Sequence, residues 1–184
     1  YEQPRTTADT ISPRIKNGEI EIEELQMREE ELRSIRKIHI VACGSAYHVG
    51  VVAQYVIEDL AKIPVRVELA SEFRYRKPLI DPKSLVIIIS QSGETADSLA
   101  ALREAKSRGI RTLGIVNVVG SSIAREADNV FYTLAGPEIA VATTKAYSTQ
   151  LVACYMLAMH FALVRNQLDS AKYDEMIKEL KIEL

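Results

Sequence analysis

From Lys37 onward the chain alternates short apolar runs with longer stretches in which apolar residues recur at helical spacing. Five runs predict strands: residues 38–43 (IHIVAC), 65–69 (VRVEL), 85–90 (LVIIIS), 112–116 (TLGIV) and a shorter 130–133 (VFYT). The third is apolar throughout, the pattern of a central parallel strand covered on both faces. Between the runs, Val49, Val52, Val56 and Leu60 fall at i, i+3, i+7 and i+11, a helical stripe. Ala96, Leu99, Leu102 and Ala105 form another, and Gly109 stands where a left-handed C-cap would close that helix. A long helix is predicted over about 143–166, with a last amphipathic segment from Ser170 onward. Strand and helix in alternation mean βαβ units with right-handed crossovers. The predicted fold class is α/β: three α/β/α layers around a doubly wound, five-stranded parallel sheet.

The first 36 residues have a different texture. A dense charged stretch over 19–37 (EIEIEELQMREEELRSIRK) mixes glutamates with Leu25, Met27 and Leu32. It reads as a solvated helix face packed by a few apolar residues, more than as an acidic patch for a partner. The expected organisation is therefore an arm over 1–36 and a domain over 37–184.

Charge and composition narrow the function classes. Lys plus Arg number 23 against 25 Asp plus Glu, a net charge of −2, which argues against a nucleic-acid binder or a polybasic membrane-surface protein. The longest apolar run, 151–164, has 14 residues and carries His160, too short to span a bilayer. Cys43 and Cys154 lie in apolar surroundings without CxxC spacing, suggesting neither disulfide nor zinc. No targeting segment opens the sequence, so a cytoplasmic protein is expected.

In an open parallel sheet, ligands bind at the carboxyl ends of the strands. The most informative segment there is Ser90-Gln91-Ser92-Gly93-Glu94-Thr95, where LVIIIS runs into a helix start. Three hydroxyls, a glycine and the unsatisfied N–H groups of a helix N-terminus can surround a phosphate without Lys or Arg. Ser92 and Thr95 could instead be only a cap and a first-turn residue. After the first strand, Gly44 permits a tight turn and Ser45 offers a hydroxyl to the same crevice. Ala46 and Val49 stand where the dinucleotide fingerprint needs glycines, and no nucleotide-phosphate loop occurs, so a small phosphorylated molecule fits better than NAD or ATP. No cofactor or metal is expected. Ser121 and Ser122 read as caps of the helix SSIARE, supported by Glu126. His39 and His160 read as structural, His48 could reach the crevice, and Cys43 reads as core. Lys145, badly placed for the helix dipole, needs a partner such as Glu138 or a bound anion.

The motifs ACGSAYHVG, LASEFRYRKP, SQSGETADSLAALREAK, NVVGSSIAREAD and AGPEIAVATTKAYSTQL resemble, in order, the first sugar-isomerase (SIS) subdomain of the glutamine–fructose-6-phosphate aminotransferase family. The opening YEQP is similar to the linker after that family's glutaminase domain. SQSGET marks the wider SIS superfamily; SEFRYR, NVVGSS and the A-x-x-K loop are specific to the aminotransferase family. The resemblance implies a flavodoxin-like SIS fold and a family reaction in which fructose 6-phosphate and glutamine become glucosamine 6-phosphate and glutamate. It implies a phosphate site on Ser90, Gln91, Ser92 and Thr95, and a backbone contact to the sugar at Val141. The family's C-G-T-S turn falls on Cys43, Gly44, Ser45 and Ala46. Ser45 keeps a hydroxyl there, while Ala46 replaces Ser and removes one hydrogen bond, about 1 kcal/mol if nothing compensates.

The family's nucleophilic cysteine, Schiff-base lysine, glutamate base and ring-opening histidine resemble nothing in this chain. The resemblance thus implies that the second SIS subdomain and the glutaminase domain are missing partners. This piece alone would bind sugar phosphate weakly without turnover, and it would pair as a homodimer. Two alternatives are a regulatory SIS module that senses a sugar phosphate, which a DNA-binding helix-turn-helix would mark, and a fructosamine-6-phosphate deglycase domain. A glutaminase immediately upstream in the gene would exclude the deglycase.

Overall fold

The alternation of apolar runs and helical stretches is realised in the computed structural model, which describes residues 1–139 and 142–182. The chain opens with α1 (Gln3–Ile11), the two-residue strands β1 (Ile15–Lys16) and β2 (Glu19–Ile20), and α2 (Glu29–Ser34). It continues through β3 (Lys37–Ala42), α3 (Ser45–Ala61), β4 (Val65–Leu69), α4 (Ala70–Arg76), β5 (Ser84–Ser90) and α5 (Ala96–Ser107). It closes with β6 (Arg111–Val116), α6 (Ser122–Glu126), β7 (Asn129–Tyr132), α7 (Lys145–Val164) and α8 (Ser170–Ile182). Single 3-10 turns lie at Ser12–Arg14 and Glu23–Leu25.

The main sheet has the order β4-β3-β5-β6-β7, and every pairing in it is parallel. All of β5 is buried. Leu85, Ile87 and Ile89 face the layer of α3 and α7, while Val86 and Ile88 face the layer of α4 and α5. Two covered faces are why this strand shows no polar alternation.

The helices sit closer to the sheet than the valine stripe suggests. The buried face of α3 is Val49, Gly50, Ala53, Ile57 and Leu60, with Val52 and Val56 half-buried on its flank. A Cβ on Gly50 would meet Ile40 Cγ2 at 2.9 Å and Val67 Cγ1 at 3.0 Å, so small residues mark the contact line. The same holds for α5, which buries Ser98, Ala101, Leu102 and Ala105 and exposes Ala96. Gly109, at φ +70°, ends this helix. Its N–H donates to Lys106 O at 2.9 Å and that of Ile110 to Ala105 O at 3.1 Å, a left-handed C-cap as expected. Helix α7 extends the 14-residue apolar run to 20 residues, long and apolar enough by length and composition to cross a bilayer. Packing on α3 and α1 accounts for that composition: 61% of its apolar window is buried inside the fold.

The charged stretch over 19–37 is not one helix. Only Glu29–Ser34 is α-helical; Glu19-Ile20-Glu21-Ile22-Glu23 alternates with a period of two, and Ile20 pairs with Ile15 across the β1–β2 hairpin. Nor does 1–36 stand off as an arm. Ile11, Ile20, Ile22, Leu25, Leu32 and Ile35 are buried in the same core cluster as the inner faces of α3 and α7. Arg14, 4% exposed, fastens the segment to the sheet edge. Its guanidinium donates to Thr10 O and Tyr132 O, each at 2.8 Å, and to Glu24 Oε1, and lies 3.8 Å from the Phe131 ring centre.

His39 and His160 are structural. His39 Nδ1 lies 3.3 Å from Glu68, whose carboxylate also takes Arg76 and Arg66, and its ring meets Phe73 edge-on. His160 Nδ1 lies 3.3 Å from Ile20 O. Burial pushes the pKa of both rings down, only partly offset by these partners. An unfolded histidine titrates near 6.5 (roughly), so below that pH the unfolded chain takes up a proton that the folded chain resists. Stability should therefore fall as pH drops from about 6.5 toward the folded-state pKa. His39→Leu should flatten this part of the profile of melting temperature against pH, followed by circular dichroism from neutral pH to about pH 5. Superimposable slopes would show that His39 does not contribute to it.

Candidate functional site

Strand order reverses between β3 and β5: the chain leaves β3 toward β4 on one side and leaves β5 toward β6 on the other. The loops after the two strands diverge and open a crevice at the carboxyl edge of the sheet. It holds about 280 Å³. One wall is Cys43, Gly44, Ser45 and Ala46; a second is Ser90, Gln91, Ser92 and Thr95; Thr143 and Gln150 close a third at the start of α7. Five of the six residues named as sugar-phosphate contacts are thus gathered around one opening. The sixth, Val141, lies outside the described residues.

The loop after β5 is held in a set shape. Ser90 Oγ accepts the Gly93 N–H at 3.0 Å and sits 3.4 Å from Thr95 Oγ1, while Ser92 Oγ accepts the Glu94 N–H at 3.2 Å. Ser92 therefore closes a local turn. Thr95 holds the N-cap position of α5 without a side-chain capping bond. The segment after β6 grips the loop from behind. Asn117 N–H donates to Gln91 O at 3.1 Å, Ile123 N–H to Gly93 O at 3.0 Å, and Ser122 N–H to Glu94 Oε1 at 2.7 Å. The hydrogen bonds from Ser122 hold the Glu94 carboxyl below its usual range. This corrects the expected capping of α6. Glu94 satisfies its first turn, Glu126 pairs with Arg103 at 2.6 Å, and the buried Ser121 Oγ has no hydrogen-bond partner among the described residues.

Cys43, read as core, packs half-buried against the cluster of α4 and α5 and also stands on the crevice wall, its Sγ 3.7 Å from the Ser98 hydroxyl. Two further expectations change. His48 is exposed against Tyr47 and does not line the crevice, since its position on α3 turns it outward. Lys145, 8% exposed, pairs with Glu2 at 2.8 Å. Glu138 instead accepts from the Thr143 hydroxyl and the Thr144 and Ala146 N–H groups, each at 3.3 Å, at the entry to α7. Bonding to Lys145, with its positive charge, lowers the pKa of Glu2.

Gln150 carries no signal along the chain because only the tertiary fold brings α7 beside the β5 loop, whereas Thr143 lies in the loop after the last strand, where a strand-end site is expected. The lining is uncharged among the described residues, so an anion there would be met by hydroxyls, backbone N–H groups and the start of α5. Among the described residues no group of three or more His, Cys, Asp or Glu could hold a metal ion. Burial pushes the Cys154 thiol up to about 12, which leaves it unreactive at neutral pH. A larger hollow, about 600 Å³, lies at the far end of α7 between His160, Leu163 and the acidic segment of β2 and α2.

The family model of the SIS domain matches residues 31–160. The chain belongs to the SIS domain family. This SIS chain is 55% identical over 181 residues to a glutamine–fructose-6-phosphate aminotransferase (isomerizing) of Clostridium tetani, covering 98% of the chain and 30% of that relative. It is 57% identical over 182 residues to the protein of the same name from Caldanaerobacter subterraneus subsp. tengcongensis, with the same coverage. The solved C-terminal domain of glucosamine-fructose-6-phosphate aminotransferase from Francisella tularensis superposes with a TM-score of 0.92 at 43% identity, over 99% of this chain and 51% of that one. The resemblance read from the motifs and the three-layer SIS fold are both borne out. The chain spans about 30% of the length of these curated relatives.

Proposed function

We propose that this SIS domain is the sugar-phosphate-holding part of a glutamine–fructose-6-phosphate aminotransferase, and that fructose 6-phosphate and glucosamine 6-phosphate seat their phosphate in the crevice between β3 and β5. The observation that carries this reading is the convergence of Ser45, Ser90, Ser92 and Thr95 on one uncharged opening at the head of the 12-residue helix α5. A phosphate oxygen accepts hydrogen bonds only, and this wall offers hydroxyl and N–H donors together with the positive end of a helix dipole. Gln91 adds a carboxamide, and Val141 is proposed to touch the sugar through its backbone.

No carboxylate, lysine or imidazole lines the crevice among the described residues, and moving a proton between sugar carbons needs a positioned base. The role proposed for this chain is therefore to bind and orient. The base, the lysine and the ammonia-releasing glutaminase would come from the rest of the enzyme, which makes glucosamine 6-phosphate and glutamate from fructose 6-phosphate and glutamine. A second SIS subdomain, the glutaminase domain and a second copy of the chain are the proposed partners.

A thermal-shift titration with fructose 6-phosphate and glucosamine 6-phosphate tests the reading, with free fructose as control. Ligand at about ten times its dissociation constant should add about 1.4 kcal/mol, roughly 3–6 °C for a domain of this size. The shift should vanish in Ser90→Ala/Thr95→Val. A shift that survives the double substitution, or one produced equally by free fructose, would overturn the assignment of the phosphate to this loop.

A further inference from the structure

Gln150 is 2% exposed, yet it lines the same crevice as Ser90 and Thr95, on the wall contributed by α7. Its polar neighbours on that helix are satisfied: Lys145 pairs with Glu2, and the Thr149 hydroxyl donates to Ala146 O at 3.1 Å. The Gln150 carboxamide makes no hydrogen bond with any described residue. Buried polar side chains are almost always hydrogen-bonded, so an unpartnered one on a cavity wall points to a ligand that completes it. We propose that Gln150 is a specificity residue of this crevice, and that its carboxamide binds a hydroxyl or carbonyl oxygen of the sugar rather than the phosphate.

The chemistry separates the two ends of the ligand. Gln150 brings two N–H donors and a carbonyl acceptor, whereas a phosphate calls for donors alone. A sugar hydroxyl both donates and accepts, and a carboxamide can meet both needs at once. The phosphate donors stand on the β3 and β5 loops, while Gln150 stands on α7, so one molecule held by its phosphate would present its carbon chain to the third wall. Being uncharged, the carboxamide reads hydroxyls without repelling the phosphate and without dependence on pH.

This inference rests on the phosphate reading of the Ser90–Thr95 loop, and calorimetric titration of the 184-residue chain with inorganic phosphate, fructose 6-phosphate and free fructose separates the two. Gln150→Met keeps length and volume but removes both polar groups; Gln150→Asn keeps the amide and withdraws it by one methylene. Each should weaken fructose 6-phosphate on the order of tenfold, the loss expected for a hydrogen bond between neutral groups, and leave inorganic phosphate within about twofold. The ligand-free melting temperature of the Met variant should not fall, because it removes a carboxamide that no described residue bonds. Unchanged fructose 6-phosphate affinity, an equal loss for both ligands, or a lower ligand-free melting temperature would overturn the role of Gln150 and leave the phosphate reading standing. Wild-type binding that Ser90→Ala/Thr95→Val does not affect, or no binding of fructose 6-phosphate beyond that of free fructose, would overturn both.

Discussion

Gly93→Ala should lower the melting temperature by roughly 6–12 °C, equivalent to about 3 kcal/mol, and abolish sugar-phosphate binding. Two costs combine at this residue. Gly93 has φ +66°, where a Cβ costs about 1–2 kcal/mol. That Cβ would also drive into the buried Ser121 side chain, overlapping its Oγ and lying 2.6 Å from its Cβ, with Val116 Cγ1 at 3.4 Å. Overpacking of this kind costs about 1–3 kcal/mol because neighbours must leave their rotamers or backbones must move. The backbone cannot yield freely: the Gly93 N–H supports Ser90 Oγ, and its carbonyl takes the Ile123 N–H. Relief of the overlap therefore displaces the Ser90 hydroxyl that is proposed to hold the phosphate. Adding Ser121→Gly removes the overlap and leaves the φ cost, so the double variant should recover about half of the lost stability. A double-mutant cycle measured by denaturant unfolding checks this, since contacting residues couple and distant ones add. Wild-type stability and binding in Gly93→Ala, or no recovery with Ser121→Gly, would show that the loop is not wedged by this contact.

That wedge also shows which parts of the molecule could be read along the chain. The apolar run of β5, the Gly109 cap and the strand–loop–helix sequence through SQSGET are local: each depends on residues within about two turns of one another, where periodicity and turn chemistry act directly. The crevice was located by a rule of topology, since strand ends in a doubly wound sheet are where loops diverge. Partners from distant segments left no such trace. Glu94 caps a helix 28 residues on, Lys145 reaches back to Glu2, and Gln150 meets the β5 loop only after the sheet is assembled. The N-terminal segment was misread for another reason. Its period-two alternation, EIEIE, is visible, but the density of charge argued for a solvated helix, and nothing local says that Ile20 and Ile22 will find the α7 layer. The valine stripe of α3 was misplaced because the line of contact follows small residues, which carry little hydrophobic signal of their own.

Arg14→Met should destabilise the whole chain by about 3–4 kcal/mol, within the range for breaking a buried charged network, which is roughly 6–16 °C in melting temperature. The side chain is 5% exposed, so its three hydrogen-bonding directions are met by protein. Methionine fills similar volume but leaves the carbonyls of Thr10 and Tyr132 without their donor beneath a packed surface, and an unpaired buried acceptor costs more than its hydrogen bond contributed. Glu24→Gln keeps an acceptor for the buried guanidinium but removes its counter-charge, so it should cost less than Arg14→Met. The shape of the transition matters as much as its position. If residues 1–36 form one cooperative unit with the SIS sheet through Arg14, Thr10 and the shared core, Arg14→Met gives a single transition shifted as a whole. Amide exchange should then accelerate in β6 and β7 as well as in α1. If the segment were a detachable arm, exchange would accelerate in residues 1–36 alone, and the sheet would melt where the wild type does.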